Sequence, residues 1–430
     1  MNKYEKTLEW LFSQLPMYQR MGKAAYKANL DTTVKLDEYF GHPHKKFKTI
    51  HVAGTNGKGS VSHMLAAILS KAGYKTGLYT SPHLLDFRER IRIDGKMIEK
   101  REVVAWVEEH QKIFEEMQPS FFEMTVALAF DYFAKEEVEL AVIEVGMGGR
   151  LDSTNIINPE VSVITNIGKD HTDFLGNTLL EIAGEKAGII KYGIPVVMGE
   201  RRPELAAIFK NQAHEMTATL FDANQFFQVP CSVLTPDGRH FFHVKRGKRT
   251  VFPELCSDLS GIVQRRNLPV VLETIEVLRL NQWTIPEIAV YEGLSKTKEL
   301  TGLNGRWEII ERKPLLVYDT AHNEDGIRNI LYQLEETRHA KLLVVIGAVN
   351  DKAIDKVLQM LPADGYYYFT QASIPRALDA KVLAAKAGFY GLKGSIVEDV
   401  KEAITTARET ASADDLILVT GSTFVVAEAY

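Results

Sequence analysis

The segment His51-Val52-Ala53-Gly54-Thr55-Asn56-Gly57-Lys58-Gly59-Ser60 constrains this chain more than any other. An apolar strand pattern at 48–53 precedes it, and apolar residues at helical spacing follow it at 61–71. In such a strand–turn–helix frame, glycines let the backbone turn tightly and aim N–H groups at a phosphate. The helix N-terminus adds partial positive charge, Lys58 adds a full one, and Ser60 is expected to cap the helix. The spacing departs from the common phosphate-loop rule G-x-x-x-x-G-K-[ST]. Its first glycine would fall at position 52, which is Val52, and Gly59 rather than Ser or Thr follows Lys58. The expectation is therefore a nucleotide phosphate loop of another lineage.

Strand and helix patterns alternate around this loop. Apolar strand patterns at 75–80, 140–145, 161–166 and 194–198 are interleaved with helical patterns at 101–118, 122–135 and 179–189. That alternation implies parallel βαβ units in a doubly wound α/β sheet. Asp94-Gly95 lies between alternating residues and signals a hairpin. Segment 229–252 differs: short alternating stretches surround Asp237-Gly238, and a β-hairpin at the edge of the first domain is expected. After a helical pattern at 262–280, a second series places strands at 315–318, 342–346, 366–370 and 416–420, with helices running to 335 and 361. Gly302 and Gly305 break the pattern near 295–305, which predicts domains at 1–295 and 296–430.

Charge and composition exclude several classes. Lys plus Arg is 51 and Asp plus Glu is 56, a net charge of −5, and no long basic block is present. A nucleic acid or an anionic membrane is therefore not the expected main partner. Hydrophobic residues make up 45% and charged residues 25%, which fits a globular protein and excludes low-complexity architecture. The only cysteines, Cys231 and Cys256, form no CxxC pair, so two free thiols in a reducing cytosol are expected. Residues 1–16 carry Glu5 and Glu9 and no apolar h-region, so no signal peptide is expected. The longest apolar runs, such as 342–349, are far too short to span a membrane. These features predict a cytoplasmic monomer.

Open α/β sheets bind ligands at the carboxyl ends of their strands. Ser81, Glu144 and His171 stand at or just past three such ends and are expected to converge near Lys58. Glu144 is flanked by apolar residues, where a carboxylate is costly to bury without a partner. Ser81, before a proline, reads equally as a turn former, and His171 as a structural hydrogen-bonding residue. Arg88-Glu89-Arg90-Ile91 suits an anionic substrate. Phe121-Phe122 suits either stacking on a flat ring or core packing at a helix start. In the second half, Asp319 and His322 follow a strand and Arg306 follows Gly305. Gln264 and Asn267 lie one helical turn apart, on one face.

Gly54–Ser60 resembles the nucleotide loop of the Mur-ligase superfamily, and the extra Gly59 resembles its folate branch, the folylpolyglutamate and dihydrofolate synthases. The resemblance continues, in order, through Thr80-Ser81-Pro82-His83-Leu84, Arg88-Glu89-Arg90-Ile91, Phe122-Glu123-Met124-Thr125, Glu144-Val145-Gly146-Met147-Gly148-Gly149-Arg150-Leu151-Asp152, Asn166-Ile167-Gly168-Lys169-Asp170-His171, Gly305-Arg306 and Asp319-Thr320-Ala321-His322-Asn323. It implies a Mur-ligase-like α/β fold: an N-terminal doubly wound P-loop ATPase domain carrying the folate site, and a smaller C-terminal Rossmann-like glutamate-ligase domain. It implies that Ser81, Glu144 and His171 hold Mg²⁺, and that Lys186 carries a carbamate that serves a second Mg²⁺. It assigns ATP to Thr55, Asn56, Gly57, Lys58, Gly59, Ser60, Gln264, Asn267, Arg306, Asp319 and His322. It assigns folate to Arg88, Arg90, Phe121, Phe122, Glu123, Leu151, Asp152 and Ser153, with 20–28 near the pterin. Lys58, Arg306, His171 and Lys186 are its catalytic set. Three positions depart from the family pattern: Val263 stands where His is common, and Thr320 and Glu324 replace the usual Gly and Pro.

The resulting expectation is an ADP-forming ligase that joins L-glutamate to dihydropteroate and to tetrahydrofolate, with ATP as substrate and Mg²⁺ as cofactor. Residues of both domains are needed, so domain closure is expected. Two rivals stay open: a Mur-type ligase acting on a cell-wall precursor, and a nucleotide-gated binding protein without ligase chemistry.

Overall fold

The computed structural model describes residues 2–14, 29–200, 202–350 and 354–430. The segment 20–28 expected near the pterin lies outside the described residues. The chain divides into two compact units: Met1–Ser232 with Phe241–Asp258 and Arg265–Leu303, and Val233–His240 with Leu259–Gln264 and Asn304–Tyr430.

The first unit is built on an eight-stranded sheet. Its strands are β1 (Lys48–Ala53), β2 (Thr76–Tyr79), β3 (Ile91–Ile93), β4 (Lys96–Met97), β5 (Leu140–Glu144), β6 (Val161–Ile164), β7 (Val196–Met198) and β8 (Leu220–Asp222). Their order is β4-β3-β2-β5-β1-β6-β7-β8. β1 pairs in parallel with β5 on one side and β6 on the other. The central strands are almost wholly buried, which is why they read as continuous apolar runs. β3 and β4 form the expected hairpin, with Asp94 at φ 47° and Gly95 at φ 76° in the turn. Because β5 and β6 flank β1, the loops leaving these three strands open at one edge of the sheet, where ligands bind in such folds.

The helix Lys58–Lys71 that follows the glycine loop packs against the helix Glu287–Ser295. Gly293 permits the approach: a Cβ there would sit 2.6 Å from Ile68 Cα and 2.7 Å from Ile68 N. Backbone cannot yield as a flexible side chain can. Gly293→Ala is expected to cost about 2–3 kcal/mol, seen as a lower urea midpoint. An unchanged midpoint would show that the two helices separate freely.

Segment 229–252 holds the expected hairpin and extends it by a third strand. β9 (Gln228–Leu234), β10 (His240–Arg246) and β11 (Arg249–Ser257) form a separate three-stranded sheet in the order β11-β10-β9. The Asp237-Gly238 signal marked the first turn, and Gly247, at φ 60°, makes a second that adds β11. The first unit also runs past 295. The helix Thr297–Thr301 stays with it because His63 Nδ1 pairs with Thr301 Oγ1 at 2.8 Å, and Asp258 Oδ2 accepts the Lys298 N–H at 2.8 Å.

The second unit holds a six-stranded sheet in the order β12-β13-β17-β14-β15-β16. Its strands are β12 (Glu308–Arg312), β13 (Leu315–Tyr318), β14 (Leu342–Ile346), β15 (Tyr366–Phe369), β16 (Lys393–Ile396) and β17 (Leu416–Thr420). All pairings are parallel except that of the edge strand β12. No helix among the described residues is long and apolar enough to cross a membrane. Neither Cys231 nor Cys256 forms a disulfide.

Candidate active site

The glycine loop is pinned to the end of β6. Thr165 Oγ1 donates to the Asn56 carbonyl at 2.6 Å, and Asn166 Oδ1 accepts the Asn56 N–H at 2.7 Å. Thr55 Oγ1 donates to the Gly168 carbonyl at 3.0 Å and accepts the Gly168 N–H at 2.9 Å. Gly54, at φ 151°, allows the approach, since a Cβ there would lie 1.9 Å from Thr165 Oγ1. The capping role expected of Ser60 is corrected. The helix starts at Lys58, its N-cap is Gly57 at φ 85°, and Ser60 is a buried residue of the first turn. Gly57 itself brings no side-chain cap to this N-terminus, and a helix N-terminus favours an anion.

Two lysines meet on one loop carbonyl. Lys58 Nζ donates to the carbonyls of Gly54 at 3.0 Å and Thr55 at 3.1 Å, and Lys186 Nζ donates to the Gly54 carbonyl at 2.8 Å. Lys186 is 3% exposed. Burial first, and the Lys58 charge second, bring its pKa down to about 7, against the opposing pull of Asp170 and Asp152. A neutral amine is therefore present at physiological pH, and that is the form able to take up CO₂.

Glu144 closes β5, buried, and its Oε2 accepts the Ser81 N–H at 3.1 Å. The structure thus brings Ser81 and Glu144 together. His171 occupies the left-handed region at φ 50° and starts the short helix Thr172–Leu175, its N–H bound to Asp170 Oδ1 at 2.8 Å. A carboxylate and a hydroxyl as first donors suit a hard, oxygen-seeking cation, so this chemistry fits Mg²⁺. Lysine as an ammonium does not fit, whereas its carbamate would present oxygens.

Several residues assigned to folate are buried or bonded to other residues of the chain. Phe121 is buried among Phe12 (ring centroids 5.1 Å apart), Phe87 (5.9 Å) and the Arg90 guanidinium (5.3 Å), so it offers no face to a ligand. Arg90 is 1% exposed, and its Nε–H donates to His83 Nδ1 at 2.7 Å. Glu123 and Ser120 form a capping box, with the Ser120 N–H 2.6 Å from Glu123 Oε2. Asp152 holds the turn after β5: Oδ2 accepts the Met147 N–H at 2.8 Å and Oδ1 accepts the Thr154 N–H at 3.0 Å. Burial raises its pKa despite these bonds. Ser153 is buried beside it. Arg88 forks onto Asp86 at 3.0 and 2.8 Å, and Asp86 also accepts the Tyr4 hydroxyl at 2.8 Å. Phe122 and Leu151 stay part-exposed, and the Phe122 ring covers Gly146, where a Cβ would meet its Cζ at 2.3 Å.

Asn267, on the helix Gln264–Leu280, abuts the loop: its Oδ1 would lie 2.5 Å from a Cβ at Gly57. Gln264, the first residue of that helix, is fully buried. In the second unit, Asp319 Oδ2 accepts the Trp307 N–H at 2.7 Å and Oδ1 the Ala321 N–H at 2.9 Å. Burial raises the Asp319 pKa and the neighbouring Arg306 opposes it. His322 Nδ1 bonds the Thr320 carbonyl at 3.0 Å, which leaves Nε2 as the ring's acceptor nitrogen. Thr165 was not singled out by sequence reasoning, and Asn166 and Asp170 entered it only as members of the motif 166–171, with no role of their own. Their signal was present, as polar residues directly following a buried strand.

Family models match twice: the Mur ligase middle domain over residues 52–252, and the Mur ligase, glutamate ligase domain over residues 305–423. The class is thus that of the Mur ligases, in agreement with the α/β fold and the loop. The chain is 33% identical to the dihydrofolate synthase/folylpolyglutamate synthase of Bacillus subtilis, over 99% of this chain and 98% of that protein. Among solved structures, E. coli FolC in complex with DHPP and ADP superposes with a TM-score of 0.84 at 28% identity, covering 99% of this chain and 96% of that one. A bifunctional folylpolyglutamate synthase/dihydrofolate synthase with Mn, AMPPNP and L-glutamate bound gives a TM-score of 0.83 at 28% identity, over 99% and 97%. The chain belongs to the dihydrofolate synthase/folylpolyglutamate synthase family.

Proposed function

We propose that this protein joins L-glutamate to dihydropteroate, forming dihydrofolate, and to tetrahydrofolate, extending its glutamate chain, with ATP converted to ADP and phosphate. The observation that carries the reading is the meeting of Lys58 and Lys186 on the Gly54 carbonyl, in a glycine loop that leads through Gly57 into a helix N-terminus. Family membership supplies the substrate class.

A carboxylate is a poor electrophile because its oxygen leaves badly. Its oxygen attacks the γ-phosphorus, the bond to ADP breaks, and an acyl phosphate results. The glutamate amine then attacks the acyl carbon and loses a proton, and phosphate leaves from the tetrahedral intermediate. The chain's part is positioning and charge neutralisation. Residues Thr55 to Ser60 cradle the phosphates, and Lys58 stabilises the charge of the transferring group. Ser81, Glu144 and His171 would hold Mg²⁺, which neutralises charge on the triphosphate. In this reading Arg306 of the second unit also meets the phosphates, Asp319 the ribose and His322 the nucleotide, while Gln264 and Asn267 serve the adenine. Phe122 and Leu151 contact the folate directly; Arg88, Arg90, Phe121, Glu123, Asp152 and Ser153 shape its walls. A cytoplasmic location fits these substrates.

The test is glutamate-dependent ADP release with each pterin separately. Turnover with both is expected. Turnover with one alone would restrict the assignment to a dihydrofolate synthase or a folylpolyglutamate synthase. Nucleotide binding with no turnover on either would leave the binding-protein reading.

Lys186 gives a second test. Lys186→Ala is expected to lose most activity, and millimolar formate or acetate is expected to restore part of it, because a free carboxylate can stand in for a carbamate. Full activity without additive would remove Lys186 from the site.

A further inference from the structure

The helix Asp31–Tyr39 ends in a short turn that doubles back on its last residues. His42, at φ 54°, takes the left-handed conformation, and its N–H donates to the Asp37 carbonyl at 2.8 Å. Pro43 then starts a 3₁₀ turn, Pro43–Lys45, that contains His44. This path points two imidazoles at one carboxylate. His42 Nδ1 lies 2.6 Å from Asp37 Oδ2, and His44 Nδ1 lies 2.5 Å from Asp37 Oδ1. The rings stand almost perpendicular, at 89°, with centroids 6.2 Å apart. The carboxylate is 7% exposed and the His44 side chain 11%, while the His42 side chain is 44% exposed and open to solvent.

One ligand atom from each of the three residues falls within 4.8 Å of the others. We propose that Asp37, His42 and His44 form a site for one divalent cation of the Zn²⁺ class, independent of the nucleotide's metal. Two imidazole nitrogens and one carboxylate oxygen are a borderline donor set that suits Zn²⁺, Co²⁺ or Ni²⁺ and not Mg²⁺. Three protein ligands leave a fourth tetrahedral position for water, reached from the open His42 side. In the metal-free form, protons take the ion's place between nitrogen and oxygen. Loading requires each neutral ring to carry its proton on Nε2, so that the Nδ1 lone pair faces the ion. It also requires the N–O pairs to spread by roughly 0.5–1 Å, to the separations of a tetrahedral site. All three ligands come from one short stretch of chain, so little loop entropy opposes assembly. Affinity falls in acid, where the imidazoles hold protons that the ion must displace.

The experiment uses the full chain, stripped with EDTA and free of nucleotide. Zn²⁺ is titrated by calorimetry, and Co²⁺ is followed by its visible absorption. One Zn²⁺ per chain is expected, at a Kd of about 10 µM or tighter, with a Zn²⁺-dependent rise in melting temperature. His44→Ala and Asp37→Asn should weaken binding about 100-fold and abolish that rise. His42→Ala, at a half-exposed side chain, keeps the test decisive should either of these fail to fold. Glu144→Gln should bind Zn²⁺ as the wild type does. No saturable binding, wild-type binding in both His42→Ala and His44→Ala, or loss of binding in Glu144→Gln would each overturn the site. The first outcome would leave a purely hydrogen-bonded clip, and the last would place the ion at the nucleotide centre.

Discussion

Lys58→Ala is expected to lower glutamate-dependent ADP release by about 10³-fold or more, since one full charge aimed at a transferring phosphoryl group is worth several kcal/mol. The fold should survive. The Lys58 side chain bonds the loop carbonyls of Gly54 and Thr55, and Gly54 keeps a donor in Lys186. Removing one exposed-end hydrogen-bonding group of this kind costs about 1 kcal/mol. The loss has a second component. The Lys58 charge helps to hold the Lys186 pKa near 7, so its removal lets that pKa rise and leaves less neutral amine at working pH. Activity of the variant should therefore recover partly as pH is raised toward 9, whereas a lesion in nucleotide contact alone would not respond in this way. Near-normal turnover in a folded Lys58→Ala protein would remove the loop from catalysis.

Glu144→Gln is expected to raise the Mg²⁺ concentration needed for half-maximal rate at least tenfold and to lower the maximal rate about 10²-fold. The substitution is nearly isosteric, and the amide oxygen can still accept the Ser81 N–H that Glu144 Oε2 accepts. What is lost is charge. The effect must therefore appear in metal dependence and in rate more than in local shape. A smaller loss of stability accompanies it, because the buried Arg90 guanidinium is offset in part by the Glu144 carboxylate. Glu144→Asp, which restores the charge at shorter reach, should recover part of the metal dependence. Wild-type Mg²⁺ dependence in the glutamine variant would show that Glu144 holds no metal.

Much of the fold was legible in the chain itself. β1, β5, β6, β13, β14 and β17 are buried along most of their length, and a strand covered on both faces must be written as an unbroken apolar run. The glycine loop and the Asp94-Gly95 turn are statements about a few adjacent residues, and adjacent residues can be read without a partner. β12 and β16 escaped because they are edge strands, largely exposed, with no apolar period to betray them.

The site divides along the same line. The sequence by itself determined that a phosphate loop leads into a helix and that Ser81 and Glu144 stand at strand ends, since each follows from local pattern and chain direction, whereas β6 stops at Ile164 and leaves His171 seven residues beyond it. Only the tertiary structure decided what those side chains can do. Phe121 and Phe122 are neighbours in sequence, yet Phe12, Phe87 and Arg90 enclose the first and leave the second part-exposed. Lys186 looks like any helix lysine until the Gly54 carbonyl and the Lys58 charge are brought beside it. Gly57, not Ser60, is the N-cap of the helix, because Thr165 and Asn166 hold the preceding turn where a left-handed residue is required. Backbone propensity acts over a few bonds and is written locally, whereas burial and electrostatic environment are sums over groups that the chain brings together only by folding.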